Sequence, residues 1–446
     1  MEVDVAIVGA GPAGIAAAVA AAGSGRRVAL LDAAPRPGGQ IWRHRSTAEL
    51  PRSAGRWLSR LERSGALVCC GASVFALSPD HLDAERDGSH LRVDANALIL
   101  ATGAIERWLP FPGWTLPGVV GIGGVQALIK SGADLTGKCV ILAGTGPLLL
   151  PVAATLARSG ARLVLVAEQA PARRVAAFAA GLWRRPARLA QAVVYRARFL
   201  QAPYRWGTWV TRVDADGTQP QVTLASDSPT RVWANRVFAL PADPRTRISC
   251  DLLCTGAGLV ASNELARLLD CELEGRFVRV DRYQQTSRPR VFAAGEPTGN
   301  TGADAALIEG TIAGLAAAGA AASAERLFPV RDRHRAFARA TAAAFAPREE
   351  LLRLADESTI ICRCEDVSLG ALKAGWSARE AKLATRAGMG PCQGRVCGPI
   401  LEALFGAAPD TVRIPAFSTS IAVLADLGRD RHLDPDPVSV PPESVQ

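Results

Sequence analysis

Four cysteines stand in two tight pairs late in the sequence, Cys362-Arg363-Cys364 and Cys392-Gln393-Gly394-Arg395-Val396-Cys397. Four thiolates in one small unit are what a [2Fe–2S] cluster needs. Gly388, Gly390, Gly394 and Gly398 free backbone N–H groups around the second pair, and hydrogen bonds from such groups to sulfur help set a reduction potential. Zinc in an all-cysteine site and uncoordinated thiols are the competing readings, although structural zinc more often uses CxxC knuckles. The other six cysteines, Cys69, Cys70, Cys139, Cys250, Cys254 and Cys271, are scattered and mostly in apolar strands, where inert buried thiols are expected.

A second chemical signature opens the chain. An apolar strand, Val3 to Val8, runs into Gly9-Ala10-Gly11-Pro12-Ala13-Gly14, an alanine-rich helix follows to about Gly23, and a strand from Val28 to Leu31 closes on Asp32. Gly9 makes the tight turn, Gly11 lets a pyrophosphate approach the backbone, and Gly14 brings helix and strand together. Pro12 and Ala13 open a helix whose unpaired N–H groups and positive dipole end face the phosphates. Asp32 falls where a carboxylate accepts bonds from an adenosine ribose.

The same chemistry requires further pieces, and they occur in order. The loop Ala34 to Trp42, with Gly39 and Gln40, permits close backbone approach, and the strand Ala97 to Leu100 ends in Ala101-Thr102-Gly103. Much later Arg290 to Ala294 reads as a strand ending at Gly295-Glu296, and Gly302-Ala303 begins a helix to about Ala318. In flavoproteins with two dinucleotide-binding domains such segments hold FAD. The carboxylate there is usually an aspartate bonding the ribityl chain, and Glu296 adds a methylene. The following helix N-terminus points its dipole at the N1–O2 edge of the isoalloxazine.

Between these halves the pattern repeats. Cys139 to Leu142 leads to Gly144-Thr145-Gly146-Pro147-Leu148-Leu149, then a helix, then a strand closing on Glu168. Leu149 replaces the third glycine, while Gly144, Gly146 and Glu168 remain for NAD or another adenine nucleotide; a fold kept without a nucleotide is the other reading. The expected fold class is therefore α/β, with two Rossmann-like domains, the second inserted in the first, and a small helical [2Fe–2S] unit at the end. Boundaries fall at 1–110 and 285–322 for the FAD-binding domain and 111–284 for the insertion. A helical connector covers 323–357, the [2Fe–2S] unit 358–412 and a mobile tail 413–446, where Asp434-Pro435-Asp436-Pro437 and Pro441-Pro442 stand out.

Composition narrows the class. With 446 residues, 49% hydrophobic and 42 glycines, the chain fits a multi-domain α/β protein. Its formal charge of +9 comes almost wholly from arginine in an alanine-rich sequence, so nucleic-acid binding is not inferred. Arg173 to Arg205 carries many arginines, no acid and an apolar stripe, so it is read as solvated surface helices first and as a partner or membrane surface second. Met1 to Asp4 leads directly into the first strand, leaving no room for a signal peptide, and no long apolar run must span a bilayer. A cytoplasmic location, at most peripheral to the inner membrane, is expected. His44, His81, His90, His334 and His432 lie in no catalytic setting and are expected at the surface.

Over nearly its full length the chain resembles the flavin-containing alpha-type subunits of bacterial opine oxidases and D-hydroxyproline dehydrogenase and the B subunit of hydrogen cyanide synthase. It is more distantly similar to the alpha subunit of heterotetrameric sarcosine oxidase. The carrying motifs are Gly9 to Gly14, Pro37-Gly38-Gly39-Gln40, Ala101 to Ala104, Pro112-Gly113 to Pro117-Gly118-Val119, Gly144 to Leu149 and Arg386-Ala387-Gly388-Met389-Gly390-Pro391-Cys392. The last resembles the bacterioferritin-associated-ferredoxin type of [2Fe–2S] domain. The resemblance implies a hetero-oligomer in which a partner flavoprotein subunit oxidises an amino acid, imino acid or opine and this chain passes electrons onward. A small ferredoxin-like subunit is a further implied partner. A self-sufficient NADH-dependent reductase and a redox-silent scaffold subunit are the alternatives.

Overall fold

The structure, a computed structural model, describes residues 1–46, 49–216, 219–227, 246–407 and 411–431. The opening strand Glu2–Val8 lies between two parallel neighbours, Val28–Asp32 and Ser89–Leu100, with Ile7 opposite both Leu30 and Ile99. Leu67–Cys70 extends this sheet beyond Val28–Asp32, and Val291–Ala293 pairs with Leu98–Leu100 on the other side. A strand 283 residues after Val8 thus completes the sheet that Val8 begins (291 − 8). Apolar side chains cover both faces, as a buried parallel sheet demands. The first half of Ser89–Leu100 also pairs antiparallel with His81–Arg86, which pairs with Ala72–Leu77.

Two helices, Pro12–Gly23 and Ala303–Ala317, close one face by packing backbone to backbone. A Cβ on Gly310 would fall 2.0 Å from the Ala13 carbonyl oxygen, and one on Gly314 2.3 Å from that of Ala17. Only glycine at these positions allows the approach.

The chain crosses to a second unit and returns along an antiparallel pair, Ala104–Glu106 against Leu259–Ala261, with Glu106 opposite Leu259. Between them lies a parallel sheet in the order Tyr204–Trp206, Arg162–Glu168, Cys139–Gly144, Leu252–Gly256, Val119–Gly121. An antiparallel meander, Thr208–Asp216, Gln219–Ser226 and Thr246–Ser249, covers it. The return precedes residue 284, the sequence boundary. Leu265, Ala266, Leu269, Cys271 and Val278 pack into the core of the first sheet, because their apolar side chains fill the face that Val8 and Leu98 leave open.

A helix, Phe328–Ala344, follows the first domain, and Glu309 anchors it there. The C-terminal unit holds the strand pair Ile360–Cys362 and Val367–Ser368 and the helices Ala378–Thr385 and Cys397–Phe405. Ser377 caps the former reciprocally with Glu380, a box worth about 1 kcal/mol. Among the described residues this unit has no separate core. Ile361, Ile400 and Leu401 pack with Phe111, Trp114 and Ile141 of the second unit, and Trp114 Nε1 donates to the Ile360 carbonyl at 2.6 Å.

The arginine-rich stretch forms two helices, Ala172–Gly181 and Pro186–Ala197, with no buried residue. The mobile tail is corrected in its first part: Ala416 packs on the first core, and helix Ile421–Arg431 places Val423 and Leu427 against buried Phe75. His432 and the proline-rich residues after it lie outside the described residues. Nor are His81 and His90 free surface groups, since both face the carboxylate of Asp83, which is 1% exposed. Among the described residues no helix is long and apolar enough to cross a membrane.

Candidate functional site

The strands Glu2–Val8, Val28–Asp32, Ser89–Leu100 and Val291–Ala293 run the same way, so their C-terminal ends share one edge, where open α/β sheets bind ligands. Gly9 turns there at φ +105°, with its missing Cβ replaced by the Ala101 carbonyl at 2.2 Å. At Gly14 a Cβ would stand 1.8 Å from the Gly9 oxygen, so strand and helix touch as the spacing requires. Gly11 precedes Pro12 and Ala13 at the helix start, and nothing lies within 4 Å of where its Cβ would be. Gly39 folds back against the Gly11 backbone, and Lys130 of the second unit clamps the carbonyls of Gln40 and Ile41 at 3.1 and 2.8 Å. Asp32 accepts from the Ala10 amide at 2.5 Å and the Ala34 amide at 2.7 Å, leaving the other lone pairs of each oxygen for a ligand.

Thr102 donates to the Ser262 carbonyl at 2.5 Å, and Gly103 stands open beside it at φ +75°. On the next strand Gly295 takes φ +79° and donates to buried Glu309 at 3.0 Å. Glu296 Oε1 accepts from the Gly302 amide at 3.2 Å, just before Ala303 begins the helix. Its Oε2 is buried without a partner, as is Thr301 Oγ1. Burial pushes the Glu296 carboxyl up to about 7. An open Gly11 at the phosphate turn, an orphaned carboxylate oxygen and a helix N-terminus on one edge fit the phosphates and polyol chain of a flavin dinucleotide.

The second loop has the same local wiring and a different outlook. Glu168 accepts from the Gly146 amide and the Ala170 amide, each at 2.8 Å, much as Asp32 ties its own loop. Glu168 is 0% exposed, however, and burial raises its carboxyl to about 7. Where Gly11 is open, the Cβ direction of Gly146 meets Phe345 at 3.8 Å, and Thr145 donates to the Phe345 carbonyl at 2.7 Å. Gly144 lies behind, against the Gly256 carbonyl. Leu149, fully buried, fills the place of the third glycine.

The structure gathers the four late cysteines. Cys362 ends its strand and Cys397 begins its helix, both buried, while Cys364 is exposed and Cys392 half-buried. The Cys392 amide donates to the Cys364 sulfur and favours its thiolate, but burial and the Cys392 and Cys362 side chains together push that thiol up. Burial, then Cys362 and Cys392, raise Cys397 well above the usual thiol range. Thiols that resist joint ionisation in this way gain most from a positively charged partner. Gly390 presses on Cys364 so closely that a Cβ would stand 2.3 Å from that of the cysteine. Among the described residues no group of three or more metal-ligating side chains surrounds a single ion position.

The model of the pyridine nucleotide-disulphide oxidoreductases matches residues 3–322, which takes in both glycine loops and every strand of the first sheet. The chain belongs to that family. Within the pyridine nucleotide-disulphide oxidoreductases it is 33% identical to the A subunit of opine oxidase from Rhizobium meliloti (strain 1021) over 468 aligned positions, covering 95% of this chain and 98% of the relative. It is 34% identical to the HcnB subunit of hydrogen cyanide synthase from Pseudomonas aeruginosa over 433, covering 88% and 90%. The resemblance to these opine oxidase and hydrogen cyanide synthase subunits therefore holds. In fold it is similar to L-proline dehydrogenase from P. horikoshii, with a TM-score of 0.67 at 19% identity over 95% of this chain and 79% of that one. Thioredoxin reductase of T. acidophilum gives 0.54 at 22% identity over 71% and 98%. The chain is an FAD-dependent oxidoreductase of this family, and the expected two-Rossmann α/β architecture stands.

Sequence reasoning missed Lys130, Gln169 and Phe345, which brace the two glycine loops, and Glu309 and Arg335, which brace the turn at Gly295. Glu309 carried one signal, an acid in an otherwise apolar stretch of a buried helix.

Proposed function

We propose that this chain is the FAD- and [2Fe–2S]-carrying subunit of a multi-subunit dehydrogenase that oxidises an amino acid, imino acid or opine in a partner flavoprotein subunit. The observation that carries the reading is the side-chain contact of Cys364 with Cys392 and of Cys397 with Cys362 in a unit docked on a flavin fold. Relatives named as subunits of opine oxidase and hydrogen cyanide synthase support a hetero-oligomer. Bound FAD supplies two-electron redox chemistry, and a [2Fe–2S] cluster supplies single-electron transfer. Gly9, Gly11, Pro12, Ala13 and Gly14 hold the pyrophosphate, and Asp32 the ribose. Gly39, Gln40, Ala101, Thr102 and Gly103 line the flavin, with Gly295, Glu296, Gly302 and Ala303 at its polyol and ring edge. Glu296 Oε2 accepts a ribityl hydroxyl, which relieves the orphaned oxygen. The four cysteines bind the two irons.

The purified chain, with its cofactors, is titrated anaerobically with NADH while flavin and iron–sulfur absorbance are followed. Both are expected to stay oxidised until the partner and its substrate are added. Rapid bleaching by NADH would make the chain a reductase in its own right, and cofactors still oxidised in the assembled complex with substrate would leave a scaffold. Cys364→Ser is expected to lower bound iron by at least about tenfold, with FAD content unchanged.

A further inference from the structure

We infer that the segment Phe345–Arg348 of the chain's own connector occupies the second glycine-rich loop and excludes nucleotides from it. The inference rests on the reading of this chain as a subunit fed by a partner, and it determines which reductant can reach the flavin.

In a Rossmann unit the pyrophosphate lies on the glycine loop at the helix N-terminus, and the acid after the second strand meets the ribose. Both places are taken. Phe345 stands 3.8 Å from the Cβ direction of Gly146, while nothing lies within 4 Å of the equivalent Gly11. Its carbonyl accepts from Thr145 Oγ1 at 2.7 Å, so the loop's own donor is spent on the connector. Gln169, 2% exposed, grips the segment from both sides of its amide: Nε2 donates to Thr145 Oγ1 at 2.8 Å and to the Ala346 carbonyl at 3.3 Å, and Oε1 accepts from the Arg348 amide at 3.1 Å. Phe178 packs edge-on against Phe345 with ring centroids 5.3 Å apart. Arg348 lies 3.9 Å over the Trp209 ring and pairs with Asp227 at 2.8 Å.

Glu168, tied to two amides and without solvent contact, presents no face to a ribose. The same segment leads directly into the cysteine unit, so nucleotide binding at this loop and anchoring of that unit exclude each other. The second fold serves as a seat for the connector.

The test compares the full chain, carrying FAD, with a Phe345→Ala/Arg348→Ala double variant, using equilibrium dialysis of ADP and of NADH. Neither residue touches the flavin edge, and FAD content reports that the variant is folded. The native chain is expected to take up no second nucleotide, and the double variant to bind ADP at least roughly tenfold more tightly than the native limit. Equal saturable binding to both proteins would overturn the inference. So would absence of binding to a folded double variant, because the segment would then not be what excludes nucleotides. The readout is independent of flavin reduction, so the partner-fed reading stands or falls separately.

Discussion

Glu296 is the residue where burial and chemistry meet most sharply. Its carboxyl, ordinarily near 4.5, is raised to about 7 by burial, and Glu168 shifts the same way for the same reason. The folded chain therefore holds these protons more tightly than the unfolded one. The stabilisation is complete below pH 4.5 and is lost as pH rises to about 7, on the order of 3 kcal/mol for each carboxyl. For flavin-stripped protein, denaturant unfolding at a series of pH values is expected to show this fall. Glu296→Gln should remove about half of it, because an amide nitrogen in place of the orphaned Oε2 leaves no buried charge. The tight packing at Gly9 and Gly14 was legible in sequence, since a turn with no room for a Cβ can be met only by glycine. The closure over Gly146 was not, because Phe345 lies 199 residues further on (345 − 146) and its type alone says nothing of its partner.

At the scale of the element, the connector helix Phe328–Ala344 is held by Phe328 packed on Ile312, by Arg331 donating to the Arg282 carbonyl and by the pair of Arg335 with buried Glu309. Arg335 donates to Glu309 at 2.8 Å, and Glu309, 0% exposed, also accepts from the Gly295 amide and from Thr298. Arg335→Met leaves that carboxylate with neutral donors and is expected to cost about 2–3 kcal/mol in thermal unfolding, while Glu309→Gln/Arg335→Met recovers much of the loss. Gly314→Leu is expected to separate the helices Pro12–Gly23 and Ala303–Ala317 and weaken FAD retention, costing roughly 3 kcal/mol or more, measured by flavin release on heating. The alanine and glycine runs announced both helices, and hydrophobic runs announced the strands. Helix Arg52–Arg63 begins after Pro51, whose extended φ and ψ precede it, and turns Ala54, Leu58 and Leu61 inward among its arginines.

At the scale of the whole molecule, the cysteine unit is fastened to both domains. Trp114 holds it to the second, and the pairs Arg276–Glu402 at 3.0 Å and Arg395–Glu264 at 3.2 Å hold it to the first. The last helix then returns to Phe75, and Val423→Ala/Leu427→Ala is expected to cost about 4 kcal/mol, read as a lower Tm of the first domain. This return was illegible in sequence, because a short apolar period beside proline-rich residues gives no sign of the surface it covers. The two crossings, by contrast, leave and rejoin the first domain side by side, with Glu106 opposite Leu259. Two antiparallel strands in that register can be joined by a two-residue turn such as Asn-Gly. The gene could therefore be shortened by excising everything from Arg107 to Gly258, giving a minimal flavin module whose spectrum would report on the first glycine loop alone.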